Sequence, residues 1–414
     1  MVGVRSHAYR DVLGTRHVPR LLAAGILGRV PGGMAGLALV LLVRDGGGSY
    51  AAAGLVTGTL AIATGLAAPA LGRLVDRVGQ TRVLLLAGSV NAAAFVTLAA
   101  LADRLGTGGM VALAAVAGAS TPPLAPCLRA LWSTLMDDDG RLQAAFALES
   151  TVQELIWIVG PLLAVGIASA ASPALAVGAV AVLVAMGVLS FAGSPASRSW
   201  RPAPRPAGTS GGWVGPLASP GLRVILGSLA LVAVAFGTAE VAMPAFAEGL
   251  GHRAGAGALL AVWAVGSMVG GLAYGARSWG NDPARRYTVL VTALAVGIAP
   301  LSVAGGWVPM GALLLVSGVT IAPTVACGYL LIDRSAPPGT LTEAFTWAST
   351  GFMSGAALGN ALGGLVIDAG GARGGFLVAC VAATAGAALA RVNRGRLGAR
   401  PVALPQAAVA ASSA

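Results

Sequence analysis

Five ionisable side chains stand inside otherwise apolar runs of the sequence: Arg29, Arg129, Glu149, Glu154 and Glu240. A charge at the centre of a membrane helix costs roughly 2.5 to 3.5 kcal/mol on insertion scales, so such residues face a protein interior or water and take partners. Counted inward from the nearest polar turn, Arg129 and Glu149 reach similar depth on neighbouring runs joined by the segment DDDGR, which makes them the first pair to expect. Arg29 falls between Glu149 and Glu154 in depth and has the reach to bridge either. The two glutamates are five residues apart, about 140° around a helix, so they do not share a face. Glu154 is the better proton carrier: it sits deeper, one turn before Trp157 and ahead of a helix break expected at Gly160 and Pro161. A carboxyl group takes up its proton on desolvation and gives it up beside a guanidinium, so movement of Arg29 would load and release it. A static network tying three helices together is the other reading of Arg29, Arg129, Glu149 and Glu154. Glu240, just before Pro244, has no evident basic partner. It is placed either on a substrate pathway with Trp157 or at the outer water near Glu248.

A second constellation is the stretch GRLVDRVGQTR, from Gly72 to Arg82, between two apolar runs. It reads as a charged loop in which Gly72 and Gly79 turn the backbone and Asp76 is held among Arg73, Arg77 and Arg82. A carboxylate held by cations and helix-end dipoles is a latch that can be made and broken.

These residues must be positioned by membrane helices. The chain is 56% hydrophobic and 10% charged, with mean hydropathy +0.82, a composition that a water-soluble surface does not allow. With about 20 apolar residues needed per crossing, twelve spans are predicted, over 21–43, 51–71, 83–102, 107–133, 143–168, 173–193, 223–247, 255–276, 287–304, 308–332, 341–367 and 373–391. The formal net charge of +11 comes from 26 basic residues, all arginine. With the N-terminus inside, the cytoplasmic segments take Arg5, Arg205, Arg400 and most of the others, and the outer side takes Arg44, Arg104, Arg253 and Arg373. This is the positive-inside pattern, so the charge needs no nucleic-acid partner. Arginine without lysine, amid abundant Ala, Gly and Val, also fits a GC-rich bacterial genome. Cys127, Cys327 and Cys380 fall within spans, and His7, His17 and His252 outside them, which leaves neither a metal cluster nor a disulfide framework. The first twenty residues carry arginines but no apolar run, and no removable signal peptide is read there.

The predicted organisation is an all-α membrane protein with two pseudo-symmetric six-helix bundles, 1–193 and 223–393. A Pro-, Gly- and Arg-rich linker at 194–222, with little to bury, joins them, and a disordered cytoplasmic tail covers 394–414. The halves echo each other: QAAFALES at 143–150 matches TEAFTWAS at 342–349, and GARSWGNDPARR from Gly275 follows span 8 as the Gly72 stretch follows span 2. Such a duplication places a central path between the bundles. Thr340 and Glu343 form a T-x-x-E capping box at the start of span 11. Glycines four apart, Gly351, Gly355, Gly359 and Gly363 on span 11 and Gly266 with Gly270 on span 8, suit close helix contacts.

With twelve spans, a six-plus-six duplication, a basic central linker and this stretch after span 2, the chain resembles the major facilitator superfamily. The family motif there runs Gly, any, Leu, any, Asp, Arg or Lys, any, Gly and two basic residues. Gly72, Leu74, Asp76, Arg77 and Gly79 match it, while Gln80 and Thr81 replace the basic pair. The resemblance implies that the N-terminus of span 11 packs near Asp76. It also implies an alternating-access secondary transporter. The Gly160–Pro161 pair matches part of a motif of the exporter branch, whose flanking glycines are replaced by Ile156 and by Ala164 and Val165. The segments CLRALW at 127–132 and VQELIWIVGP at 152–161 look similar to drug exporters of actinobacteria.

Without lysine there is no P-loop, so a primary pump is excluded within this chain, and no HExxH is present for an intramembrane enzyme. The expectation is proton-coupled efflux of a small hydrophobic or amphipathic molecule by a monomer in a bacterial inner membrane, both termini cytoplasmic, without cofactor or metal. A proton-coupled or facilitated importer of a small solute is the alternative, disfavoured by spans poor in the hydroxyl and amide groups that a sugar site needs.

Overall fold

The computed structural model describes residues 8–204, 215–252, 255–280 and 282–398. Arg5, His7, Arg205, Arg253, Arg400, the middle of the linker and the tail beyond 398 lie outside the described residues. Among the described residues fifteen α-helices follow one another: α1 (Ala8–Gly14), α2 (Val18–Asp45), α3 (Tyr50–Val78), α4 (Gln80–Leu101), α5 (Thr107–Ala119), α6 (Leu124–Leu135), α7 (Asp139–Ala170), α8 (Pro173–Ala192), α9 (Pro195–Ser199), α10 (Pro220–Gly249), α11 (Ala256–Gly275), α12 (Pro283–Ile298), α13 (Trp307–Gly318), α14 (Ile321–Ser335) and α15 (Leu341–Val392). Eleven helical stretches among the described residues are long and apolar enough to cross a membrane. The last holds two crossings. Its 52 residues would reach about 78 Å as one rod, far more than the roughly 30 Å of a bilayer core. The break is Gly371, at φ 66° and ψ −173°, where a side chain would be strained. Gly355, Gly359 and Gly363 pack in ascending order on Ala230, Val234 and Thr238 of α10, whereas Gly375 and then Gly386 pack on Ala242 and Ser228 in descending order, so the chain reverses direction at the break.

Spans 4 and 10 are each broken at matching places: α5 gives way to α6 across Ser120–Pro123, and α13 to α14 across Val319 and Thr320. Two prolines, Pro122 and Pro123, account for the first break. Large apolar residues such as Ile62, Leu66, Leu189, Val308 and Leu365 remain exposed, as lipid-facing or cavity-facing positions must.

The structure departs from the sequence reading in four places. The charged stretch is not a loop from Gly72: α3 stays helical to Val78, and the turn is confined to Gly79 at φ 93°. Gly72 is instead a close-approach site, where a Cβ would lie 2.5 Å from Thr346 Oγ1 and 3.0 Å from Glu343 Cα. No helix break occurs at Gly160 and Pro161, since α7 runs on to Ala170, with Gly160 lying where a Cβ would come within 2.7 Å of Gly33 Cα on α2. The capping box does not form. The Thr340 hydroxyl donates to the Pro337 carbonyl at 2.7 Å, and the Glu343 carboxylate turns to another helix. The linker, finally, is no bare spacer: it forms α9 and buries Ala196, Ser197 and Trp200.

A leucine at Gly160 is expected to force α2 and α7 apart at a cost of about 1–3 kcal/mol, while Gly166→Leu, at a site with open space around it, is expected to leave the melting temperature within about a degree. Thermal unfolding of the two purified variants checks this, and equal melting temperatures would contradict it.

Candidate functional site

The two halves meet on the face that carries the linker, and three groups of residues join them there. The outermost is built on Asp76. One carboxylate oxygen accepts the backbone N–H of Thr342 at 3.1 Å and the other that of Glu343 at 2.8 Å. Asp76 therefore caps α15 from the opposite half, where the helix dipole and unpaired N–H groups favour an anion. Among the described residues no arginine pairs with it. Arg73 instead holds Glu343, Nε at 3.1 Å and Nη2 at 2.6 Å from Oε1, and Arg77 and Arg82 point to the exposed surface. Gln80 and Thr81 have work of their own: the fully buried Gln80 amide donates to the Cys127 carbonyl at 3.0 Å, and Thr81 donates to the Ala192 carbonyl at 3.4 Å.

Beside this clasp, Ser133 donates to the Asp333 carboxylate and Arg334 pairs with Asp139 at 2.6 Å. On the other flank the contacts are neutral. Gln143 Nε2 donates to the carbonyls of Tyr274 and Arg277, both at 3.4 Å, and the Tyr9 hydroxyl donates toward the carbonyls of Gly271 and Leu272.

Deeper in, Glu149 is fully buried and collects three donors. Arg129 Nε at 2.9 Å and Arg29 Nη1 at 3.2 Å share Oε1, and Trp132 Nε1 donates to Oε2 at 3.0 Å. Arg29 thus lies on Glu149 and not on Glu154. Two guanidinium groups face one carboxylate, and Arg29 Nη2 is buried without a hydrogen-bond partner. Arg129 also stacks over the Tyr329 ring at 3.9 Å and reaches Ser349 at 3.5 Å, both in the other half. Glu154 stands apart. It is fifteen residues into α7, about 22 Å from the linker-face end, and accepts from Ser267 of α11 at 2.9 Å. Glu240, on α10, is exposed. Trp157, one turn beyond Glu154, is about half exposed, at 48%.

Ser267, Trp132, Tyr329 and the Arg73–Glu343 pair were not singled out in the sequence. Trp132 had a signal, three residues after Arg129 and so on the same helical face. Tyr329 had another, lying 200 residues after Arg129, close to the repeat offset. Ser267, one hydroxyl among many, had none.

The hydrogen bonds and ring contacts that join the halves, among the described residues, all lie between the level of Glu154 and Thr350 and the linker face. Against this geometry, the family model described as Major Facilitator Superfamily matches residues 21–353 of the 414. The chain belongs to the major facilitator superfamily. It is a secondary transporter of that family and not an enzyme. A comparison with curated protein sequences finds no match. Solved structures of the same fold include a bacterial homologue of the iron transporter ferroportin in an outward-facing state (TM-score 0.71, 14% identity, 91% of this chain and 98% of that one). The Escherichia coli fucose:proton symporter is similar (TM-score 0.68, 13% identity, 90% and 97%), as is the human organic anion transporter MFSD10 (TM-score 0.66, 15% identity, 90% and 99%). At these identities the likeness is one of fold.

Where two halves of a transporter rock against each other, an ion pair across them has to break and re-form in each cycle. Charge reversal by Arg73→Glu or Glu343→Arg alone is expected to slow transport by about tenfold, and the double exchange to restore most of it, as measured by flux in proteoliposomes. The Arg129–Glu149 pair should behave differently. Arg129→Glu with Glu149→Arg would leave Arg29 against a guanidinium, so the exchange is expected to fail. Glu149→Gln alone strands two buried cations, a loss of about 3–5 kcal/mol, to be read as a large drop in melting temperature.

Proposed function

We propose that this transporter exports a small hydrophobic or amphipathic molecule in exchange for protons, with Glu154 as the proton carrier. The observation that carries the coupling is the placement of Glu154: halfway along the 32-residue α7, at the junction of the halves, hydrogen-bonded across it to Ser267, and without Arg29, which Glu149 holds. A carboxyl group in apolar surroundings holds its proton more tightly than one beside a guanidinium. Rocking that parts α7 from α11 removes the Ser267 hydroxyl from Glu154, and a swing of the Arg29 side chain, which belongs to the same half, from Glu149 toward Glu154 discharges the proton on the other side. The unpartnered Nη2 of Arg29 leaves a donor free for that second carboxylate. Arg29, Arg129 and Glu149 then form the charge network against which Glu154 works.

The positive-inside rule makes the linker face cytoplasmic, since the arginine-rich Arg198, Arg201, Arg285, Arg391, Arg394 and Arg396 all belong to it. In a bacterial inner membrane the state seen here is then closed to the cytoplasm. Export is favoured by the Gly160–Pro161 fragment of the exporter motif, and an amphipathic substrate by the exposed apolar side chains of α7 around Glu154, such as Leu155, Trp157 and Ile158. Glu240 and Trp157 face the same pathway as Glu154 and contact the substrate. The working unit is a monomer, for both halves of the pathway come from one chain.

Proteoliposomes with an imposed pH gradient and amphipathic fluorescent dyes test the reading. Glu154→Gln is expected to abolish pH-driven dye flux while dye binding to the purified protein persists. Flux with an unchanged pH dependence would move the carrier elsewhere, and dye movement down the proton gradient with protons would make the protein an importer.

A further inference from the structure

Each half begins with a crossing helix, α2 or α10, and each of these is preceded by a short segment on the linker face that reaches across to the other half. Before α2 comes α1, with Val12 fully buried and Ala8 nearly so. Its Tyr9 hydroxyl donates toward the carbonyls of Gly271 and Leu272, at 3.1 and 2.9 Å, at the end of α11. The ring fits there because residue 275 is glycine: a Cβ would run into the Tyr9 hydroxyl on one side and Ala147 of α7 on the other. Before α10 comes the turn Gly215–Ala218, with Pro216 buried. Gly215, at φ 44°, lies on the Arg73–Glu343 pair, where a Cβ would be 2.5 Å from Glu343 Oε1 and 3.1 Å from Arg73 Nη2. The pattern repeats. Each segment rests on a helix of its own half, α7 or α15, and on the linker-face end of a helix from the other half, α11 or α3.

We infer that these two segments are a symmetry-related pair of straps that hold the linker face shut, and that Tyr9 is a positioning residue for the conformational cycle. When the halves part on this face, α11 withdraws from α7, and the Tyr9 hydroxyl loses both carbonyls. The second strap already rides on an ion pair. The first is neutral and depends on Tyr9, which makes it the tunable member. The inference does not depend on the direction of transport or on the coupling ion.

The test uses the full chain in lipid nanodiscs with Ala348→Cys, a buried position of α15 behind the clasp, as a reporter. Labelling by a water-soluble maleimide is measured against the same chain without the added cysteine. Tyr9→Phe, which keeps the ring and removes the hydroxyl, is expected to raise the labelling rate roughly threefold or more, the worth of about one net hydrogen bond, at an unchanged melting temperature. Gly275→Ala, which displaces the ring without touching Tyr9, is expected to act in the same direction. Labelling of both variants at the rate of the parent chain would overturn the inference.

Discussion

The structure depends on a carboxylate of one half capping a helix of the other. The first turn of α15 has N–H groups with no partner within the helix, and the local candidate, Thr340, spends its hydroxyl on Pro337. Asp76 supplies the missing acceptors from α3, accepting from two consecutive N–H groups while 4% exposed. An anion at a helix N-terminus stabilises by about 0.3–1 kcal/mol at an exposed site and up to about 2 kcal/mol when partly buried. That is too little to hold a domain together permanently and enough to shift a two-state equilibrium by about twofold to thirtyfold. A cap that exists only while the halves touch makes the state of the helix end report on the state of the molecule.

Around this cap the duplicated architecture brings equivalent residues face to face. Ser133 meets Asp333 and Arg129 stacks on Tyr329, pairs 200 residues apart, while Phe146 and Phe345 touch at a centroid distance of 6.0 Å. Such contacts arise where a pseudo-twofold axis passes between two similar helices, since a residue near the axis must lie near its own counterpart. The two flanks of the axis have nonetheless diverged. One is closed by Asp76 and the Arg73–Glu343 pair, the other by long amide contacts from Gln143 and by Tyr9. Charged contacts concentrate on one flank, so the closed face is fastened like a hinge with a strong side and a weak side.

The fold was legible because membrane spans announce themselves by length and hydropathy, and because arginines sort by side. The repeat was legible at QAAFALES and TEAFTWAS because those residues lie at the axis, where both halves answer to the same neighbours. The meeting of Asp76 with the start of span 11 came through the family motif. What stayed hidden was choice among equals. Three arginines surround Asp76 in sequence, yet it takes backbone donors, because α3 remains helical and turns Arg73 toward Glu343 instead. Gly72, read as a turn, and Gly160, read as part of a helix break, proved to be contact sites, a distinction set by a partner helix far along the chain. The T-x-x-E pattern failed because both of its members had stronger partners in three dimensions.

The central claim is that the Asp76 cap sets how often the linker face is open. Spin labels at Val78→Cys and Arg285→Cys, both exposed and on opposite halves of that face, allow the separation to be measured by pulsed dipolar spectroscopy in nanodiscs, with and without Asp76→Asn. A dominant short distance in the parent chain that gives way to a longer one in the variant is the predicted result. Identical distance distributions in the two proteins would contradict it.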